Sequence, residues 1–158
     1  VTIRIPRDFP AKPKETTMII RSASAHYSGL GKDGTGSVST QSGVLDQQQY
    51  GFNTRFEDGK GTNPEELIAA AHASCFTMAL SFGLAKAGYS DGELDTTAKV
   101  TLEQDGDGFK VSKSALTLTA SVPGIDEEEF GKIADGAKAN CPISKLLNAE
   151  VTLERTLK

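Results

Sequence analysis

Residues 67–85, LIAAAHASCFTMALSFGLA, decide how the rest of the chain is read. The stretch carries no formal charge, and at ~1.5 Å per residue it is long enough to cross a ~30 Å hydrocarbon layer. Against a membrane span stand His72, Ser74, Cys75 and Thr77, which interrupt it, and the preponderance of small residues over Leu and Ile. No belt of Trp, Tyr or Arg flanks it either. The pattern therefore predicts a buried central helix rather than a membrane segment.

The start of this helix is sharply marked. Asn63 suits the N-cap, Pro64 the first helical position and Glu66 the third. The helix is expected to run to about Ala87, with Gly88 closing it as the residue after the C-cap. Because it is apolar nearly all round, burial on most of its faces is expected.

Upstream, residues 18–57 read as β-structure. Strands are expected in MIIRSASAHY (18–27), SVSTQSGVL (37–45) and QYGFNTRFE (49–57), with a Gly-rich turn GLGKDGTG (29–36) after the first. That turn lacks the Lys-Ser/Thr ending of a phosphate-binding loop. Downstream, TTAKVTLEQ (96–104) and FKVSKSALTLTASV (109–122) alternate around the turn DGDG (105–108), which predicts a hairpin. A second helix is expected from about Asp126, with Glu127, Glu128 and Glu129 in its first turn. Cys141-Pro142 interrupts it, placing Pro142 at the first position of a short helix PISKLLN (142–148) and Cys141 at its N-cap. EVTLERTL (150–157) reads as a last strand. This order of elements predicts an α+β fold with a mostly antiparallel sheet. Residues 1–17, with three prolines and mixed charges, read as an extended N-terminal arm dispensable to chemistry, and residues 18–158 as a single domain; Met18 is read as a candidate internal or original start.

Composition narrows the function classes. A chain of 158 residues suits one compact domain or two small lobes sharing a core. An apolar fraction of 37% is lean, which points to an oligomer interface burying part of the apolar surface. A net charge of −4, with no Lys/Arg cluster among aromatics, argues against nucleic acid as a partner. The N-terminal residues lack a secretory h-region, and two cysteines in this setting read as thiols of the cytoplasm.

Cys75 and Cys141 are the only cysteines. Cys75 has two readings, core filler in an Ala-rich helix or a reactive thiol, and the second needs a nearby cation because an apolar site opposes ionisation. Cys141, at a helix N-terminus, sees a field that favours its thiolate, although a buried N-cap thiol is an equal reading. His72 and Cys75 are spaced i, i+3, so with Cys141 and His26 a Cys₂His₂ metal site is an alternative. It lacks the close-spaced ligand pairs of structural zinc. A structural disulfide fits poorly with a reducing compartment.

Taken together, YGFNTRFE (50–57), GTNPEELIAAAHASCFTMAL (61–80), VPGI (122–125), and CPIS (141–144) leading through Leu146 and Leu147 into AEVTL (149–153) resemble the OsmC branch of the OsmC/Ohr family of thiol-dependent peroxidases. The resemblance runs from about residue 18 to the end. It implies mostly antiparallel sheets packed around a long buried central helix in an intertwined homodimer. It implies a cysteine-based peroxidase that reduces organic hydroperoxides, and hydrogen peroxide as well, in oxidative or osmotic stress defence. No cofactor and no metal are implied.

In that resemblance Cys75 matches the peroxidatic cysteine and Cys141 the resolving one. Arg55 matches the arginine that stabilises the thiolate, and Glu65 the acid that orients it. The reductant implied is a dithiol, of lipoyl type. Phe52, Phe56, Phe76 and Met78 are read either as walls of an apolar substrate pocket or as core packing. On one straight helix Glu65 and Cys75 lie ~15 Å apart along the axis, so the helix bends, Arg55 spans the gap, or one residue comes from a partner subunit. Two rivals from other classes are a non-catalytic, stress-associated module binding a small ligand in the apolar pocket, and a zinc-stabilised structural protein.

Overall fold

A computed structural model describes residues 18–158; the arm 1–17 lies outside the described residues. Strands β1 (Ala23–Ser28), β2 (Thr35–Thr40) and β3 (Gln48–Tyr50) form an antiparallel sheet in that order. A 3-10 turn, Gly31–Asp33, links β1 to β2. The Tyr27 hydroxyl fixes it by donating towards the carbonyls of Gly31 and Gly34, at 3.1 and 3.2 Å. Gly36 sits under two rings: a Cβ there would lie 2.5 Å from Tyr50 and 2.8 Å from Tyr27, so only glycine lets the strand pass beneath them.

The strand expected over residues 49–57 ends at Tyr50, and Phe52–Phe56 form a short helix, α1, instead. Thr54 causes the change. Its hydroxyl oxygen accepts from the Gly51 N–H at 2.9 Å, and its O–H donates back to the Gly51 carbonyl at 3.1 Å. A local side-chain hydrogen bond thus outcompetes the sheet ladder. Arg55 consequently projects from a helix, not a strand.

Helix α2 spans Pro64–Lys86 with Asn63 as N-cap, its side chain accepting from the Glu66 N–H at 2.8 Å. Gly88 follows with φ +101, as expected for a residue beyond the C-cap. Burial on most faces is not observed. Only His72, Phe76, Leu80 and Leu84 are buried, at i, i+4 spacing, while Met78 and Phe82 are 61% and 71% exposed. One face packs within the chain; the opposite face is apolar and is not covered by any of the described residues. By length and apolarity the helix is sufficient to cross a membrane, yet its buried row lies in the core of this fold.

Strands β4 (Glu93–Asp105) and β5 (Gly108–Ser121) form the expected hairpin, with a register shift at Thr101/Leu102. β6 (Glu150–Leu157) joins the other side of β5 in parallel, after a crossover through helices α3 (Glu127–Asn140) and α4 (Pro142–Leu146). Ser114, Leu116, Leu118 and Ala120 share the inward face of β5 and meet the buried faces of α2 and α3. Phe76, Leu80, Phe130 and Ala134 complete this core, to which no residue of β1–β3 contributes.

Candidate active site

Helices α2 and α4 bring the two cysteines together. Cys75 lies one turn after His72 on α2, and Cys141 is the N-cap residue of α4. Their Sγ atoms are 2.8 Å apart, within an ångström of the ~2.05 Å of a formed disulfide, and both thiols are free. Pro142 at the first helical position starts α4 immediately after Cys141 and aims the helix's first N–H groups at the pair.

The two sulfurs differ in access and in electrostatics. Cys75 is partly exposed, whereas Cys141 is fully buried. Burial pushes the Cys75 thiol up, and its contact with Cys141 adds to this, against a backbone hydrogen bond from Ile143. At Cys141 burial acts in the same upward sense but is outweighed by hydrogen bonds from Cys75, from Ser144 through both backbone and hydroxyl, and from Ile143. In the single chain the surroundings therefore ease ionisation at Cys141 and oppose it at Cys75, whose thiolate calls for a nearby cation.

Arg55 and Glu65 form a second pair. The guanidinium donates through Nε to both Glu65 oxygens at 3.2 Å and through Nη2 to Oε1 at 2.6 Å. This forked geometry fixes the arginine, which also lies over the Phe56 ring with its Cζ 5.4 Å from the centroid. Within one chain the pair stands at the start of α2, ten residues before Cys75, hence ~15 Å along the axis. The structure thus assembles the thiols and assembles the ion pair without joining them.

Nor do the four candidate pocket residues share one wall. Phe52 and Phe56 stack with ring centroids 5.0 Å apart, and together with Arg55, Tyr27, Tyr50 and Pro64 they line a cavity of about 210 Å³. Phe76 is fully buried in the core, which makes it packing and not a wall of that cavity. Met78 lies on the exposed face of α2.

His72 is not placed as the metal ligand weighed for it from sequence. Its ring is fully buried and held at both ends, with Nδ1 2.7 Å from Ser114 Oγ on β5 and Nε2 2.9 Å from Ser144 Oγ on α4. Burial lowers its pKa, so the imidazole is neutral at pH 7. His26 is on the exposed strand β1, and among the described residues no group of three or more His, Cys, Asp or Glu is placed to hold a metal ion. Ser114 and Ser144 went unremarked in the sequence. A signal existed for Ser114, a polar residue in the inward register of Leu116, Leu118 and Ala120.

A buried cysteine touches a half-exposed one on a core helix, an arrangement suited to thiol redox chemistry. The family model described as OsmC-like protein matches residues 57–155. Peroxiredoxin OsmC of Escherichia coli is 55% identical over 140 residues, covering 89% of this chain and 98% of its own. Organic hydroperoxide resistance protein OhrB of Bacillus subtilis is 30% identical over 124 residues, covering 78% and 89%. A crystal structure of an organic hydroperoxide resistance protein OsmC from Legionella pneumophila superposes with TM-score 0.62 at 26% identity, over 90% of this chain and 99% of that one. The chain belongs to the OsmC family.

Proposed function

We propose that the chain is a cysteine-based hydroperoxide peroxidase in which Cys75 is the peroxidatic and Cys141 the resolving residue. The observation that carries this reading is the contact of the two sulfurs combined with their unequal access. Peroxide from solvent meets Cys75. Its thiolate attacks the terminal peroxide oxygen, the O–O bond breaks, and alcohol or water leaves as Cys75 becomes a sulfenic acid. Cys141 then attacks the Cys75 sulfur, the S–O bond breaks, and water departs with formation of the disulfide. A dithiol returns the pair to thiols by exchange. The naming of relatives for peroxiredoxin activity and organic hydroperoxide resistance supports the same assignment.

The working unit in this reading is a homodimer. Its support is the uncovered apolar face of α2, with Met78 and Phe82, and a first sheet that contributes nothing to the core. A second copy would bring its own Arg55–Glu65 pair to Cys75, supplying the cation that the single chain does not place there. A lipoyl-type dithiol as reductant and a cytoplasmic, reducing setting complete the proposal; free thiols in contact suit such a compartment.

Peroxide consumption driven by a small dithiol tests it. Cys75→Ser is expected to lose turnover by at least ~10³-fold and to form no trappable sulfenic acid, because the step depends on a thiolate. Cys141→Ser is expected to react once and stop at a Cys75 sulfenic acid. Normal turnover by Cys75→Ser would refute the assignment.

A further inference from the structure

Helix α4 is little more than one turn, Pro142–Leu146, and a helix so short does not hold its shape unaided in water. Little apolar burial seats it. Pro142, Lys145 and Leu146 are exposed, and of its apolar side chains Ile143 alone packs against the core. Its start is tied to α3, where the Cys141 N–H donates to the Ala137 carbonyl at 2.9 Å. Yet the N-cap residue of this small helix, Cys141, is the one whose sulfur must meet Cys75. Among the described residues, and apart from the contact of the two sulfurs, one side-chain hydrogen bond joins α4 to the rest of the fold. It lies between Ser144 Oγ and Nε2 of His72, at 2.9 Å.

The two links run side by side between the same two elements. His72 stands three positions before Cys75 on α2, and Ser144 three positions after Cys141. Three residues span ~4.5 Å of helix axis and nearly one turn, so the His72–Ser144 bond is a second rung next to the sulfurs. This rung has a fixed foot. The ring is fully buried, and its Nδ1 lies 2.7 Å from Oγ of Ser114, itself fully buried on β5. A serine hydroxyl both donates and accepts, so the two serines satisfy the ring's one donor and one acceptor nitrogen together. Ser114 thereby holds the ring on the core side, and the ring presents its other nitrogen to α4.

We propose that His72 and Ser144 are positioning residues for resolution: their hydrogen bond seats α4 on α2 and so holds Cys141 against Cys75. The inference rests on the peroxidase reading above, which makes these two cysteines the redox pair. In the step served, the Cys141 sulfur bonds to the Cys75 sulfur, the Cys75 S–O bond breaks, and the hydroxyl group leaves as water with the proton of the Cys141 thiol. No proton passes along the clasp; its work is done by placement. Two groups already held close lose less freedom when they react. With the clasp broken, the dithiol gains freedom that disulfide formation must take away again. The disulfide then forms more slowly and is less favoured at equilibrium.

Equilibration with reduced and oxidised dithiothreitol reads that placement. Reduced protein plus oxidised reagent gives the Cys75–Cys141 disulfide plus reduced reagent, and mass spectrometry of the alkylated protein gives both fractions. Ser144→Ala is expected to move the equilibrium about tenfold toward the dithiol, the upper end of what one hydrogen bond contributes. For this two-electron couple that is a rise of ~30 mV in reduction potential. Quench-flow after one equivalent of peroxide is expected to show resolution slowed by a similar factor and sulfenic acid formation within twofold of the unaltered protein. Ser144→Thr keeps the hydroxyl and is expected to restore both readings, a rescue that a general loosening of the fold would not give. His72→Leu is expected to match Ser144→Ala, and the double variant to lose no more than either, because each substitution alone already breaks the clasp. Ser144 is only half-buried, so Ser144→Ala carries the test even where His72→Leu does not fold. An equilibrium within twofold of the unaltered value in Ser144→Ala, or a failure of Ser144→Thr to restore it, would overturn the clasp and leave the peroxidase reading standing. Absence of any Cys75–Cys141 disulfide after peroxide treatment of the unaltered protein would overturn both.

Discussion

The sheets β1–β3 and β4–β6 have three strands each and opposite relations to a core. Along β5 every second residue from Ser114 to Ala120 is buried, because α2 and α3 cover that face. Along β1 all six residues are exposed. The difference follows from what stands next to each sheet. The second has two helices with apolar faces at its back; the first has, among the described residues, only the short α1 and the start of α2. The site divides in the same way. The thiols belong to the region with a core, where packing holds two sulfurs in contact, and the Arg55–Glu65 pair belongs to the region without one. The proposed function draws on both, which is why a second copy enters it.

Substitutions can break this comparison. Phe130→Ala, in the covered region, is expected to cost ~3–5 kcal/mol through the cavity it leaves, measured by urea unfolding. Val38→Ala in β2 is expected to cost under ~1.5 kcal/mol, since Val38 is only half-buried. A loss at Val38 as large as that at Phe130 would mean that the first sheet has a core of its own, supplied by another copy.

Arg55→Ala sharpens the comparison between the two halves of the site. If the guanidinium reaches Cys75 in the assembled enzyme, its loss raises the thiol pKa and slows alkylation at neutral pH by roughly 10–100-fold. Arg55→Lys is expected to restore little, because an ammonium cannot fork between Glu65 and a thiolate. An iodoacetamide pH profile unaltered in Arg55→Ala would assign thiolate stabilisation to the N-terminus of α4 alone.

Buried His72 gives the covered region its own pH signature. Its pKa in the folded protein lies below the ordinary ~6.5, so the unfolded chain binds the extra proton between those values. Stability is therefore complete above about pH 6.5 and is lost as the pH falls through the lowered folded value. Thermal melts from pH 7.5 downward are expected to show a decline in that window, and His72→Gln to flatten it. A decline that persists in the variant would place its origin in other groups.

The smallest effect concerns substrate. If Phe52 and Phe56 wall the peroxide channel, each methylene moved into it contributes up to ~0.8 kcal/mol, about fourfold in kcat/KM. tert-Butyl or cumene hydroperoxide is then reduced more efficiently than hydrogen peroxide in parallel dithiol-coupled assays. Equal efficiencies would make these aromatics packing only.

The sequence by itself determined the elements whose signals are local. Asn63-Pro64 placed the start of α2, Asp126 that of α3 and Cys141-Pro142 that of α4, since a cap and a proline act within one helical turn. Alternation fixed β4, β5 and β6 for the same reason. It also pointed to both cysteines, though a resemblance was needed to name their roles. Tertiary structure alone decided the rest. Thr54 turned an apparent strand into α1 through a bond to Gly51, and α2 was left open on one side because apolarity says what can be buried, not what arrives to cover it. The contact of Cys75 with Cys141, 66 positions apart, and the clasp of His72 by Ser114 and Ser144, 42 and 72 positions away, arise where three elements cross. No local pattern encodes such crossings, because they depend on the packing of whole helices against a sheet.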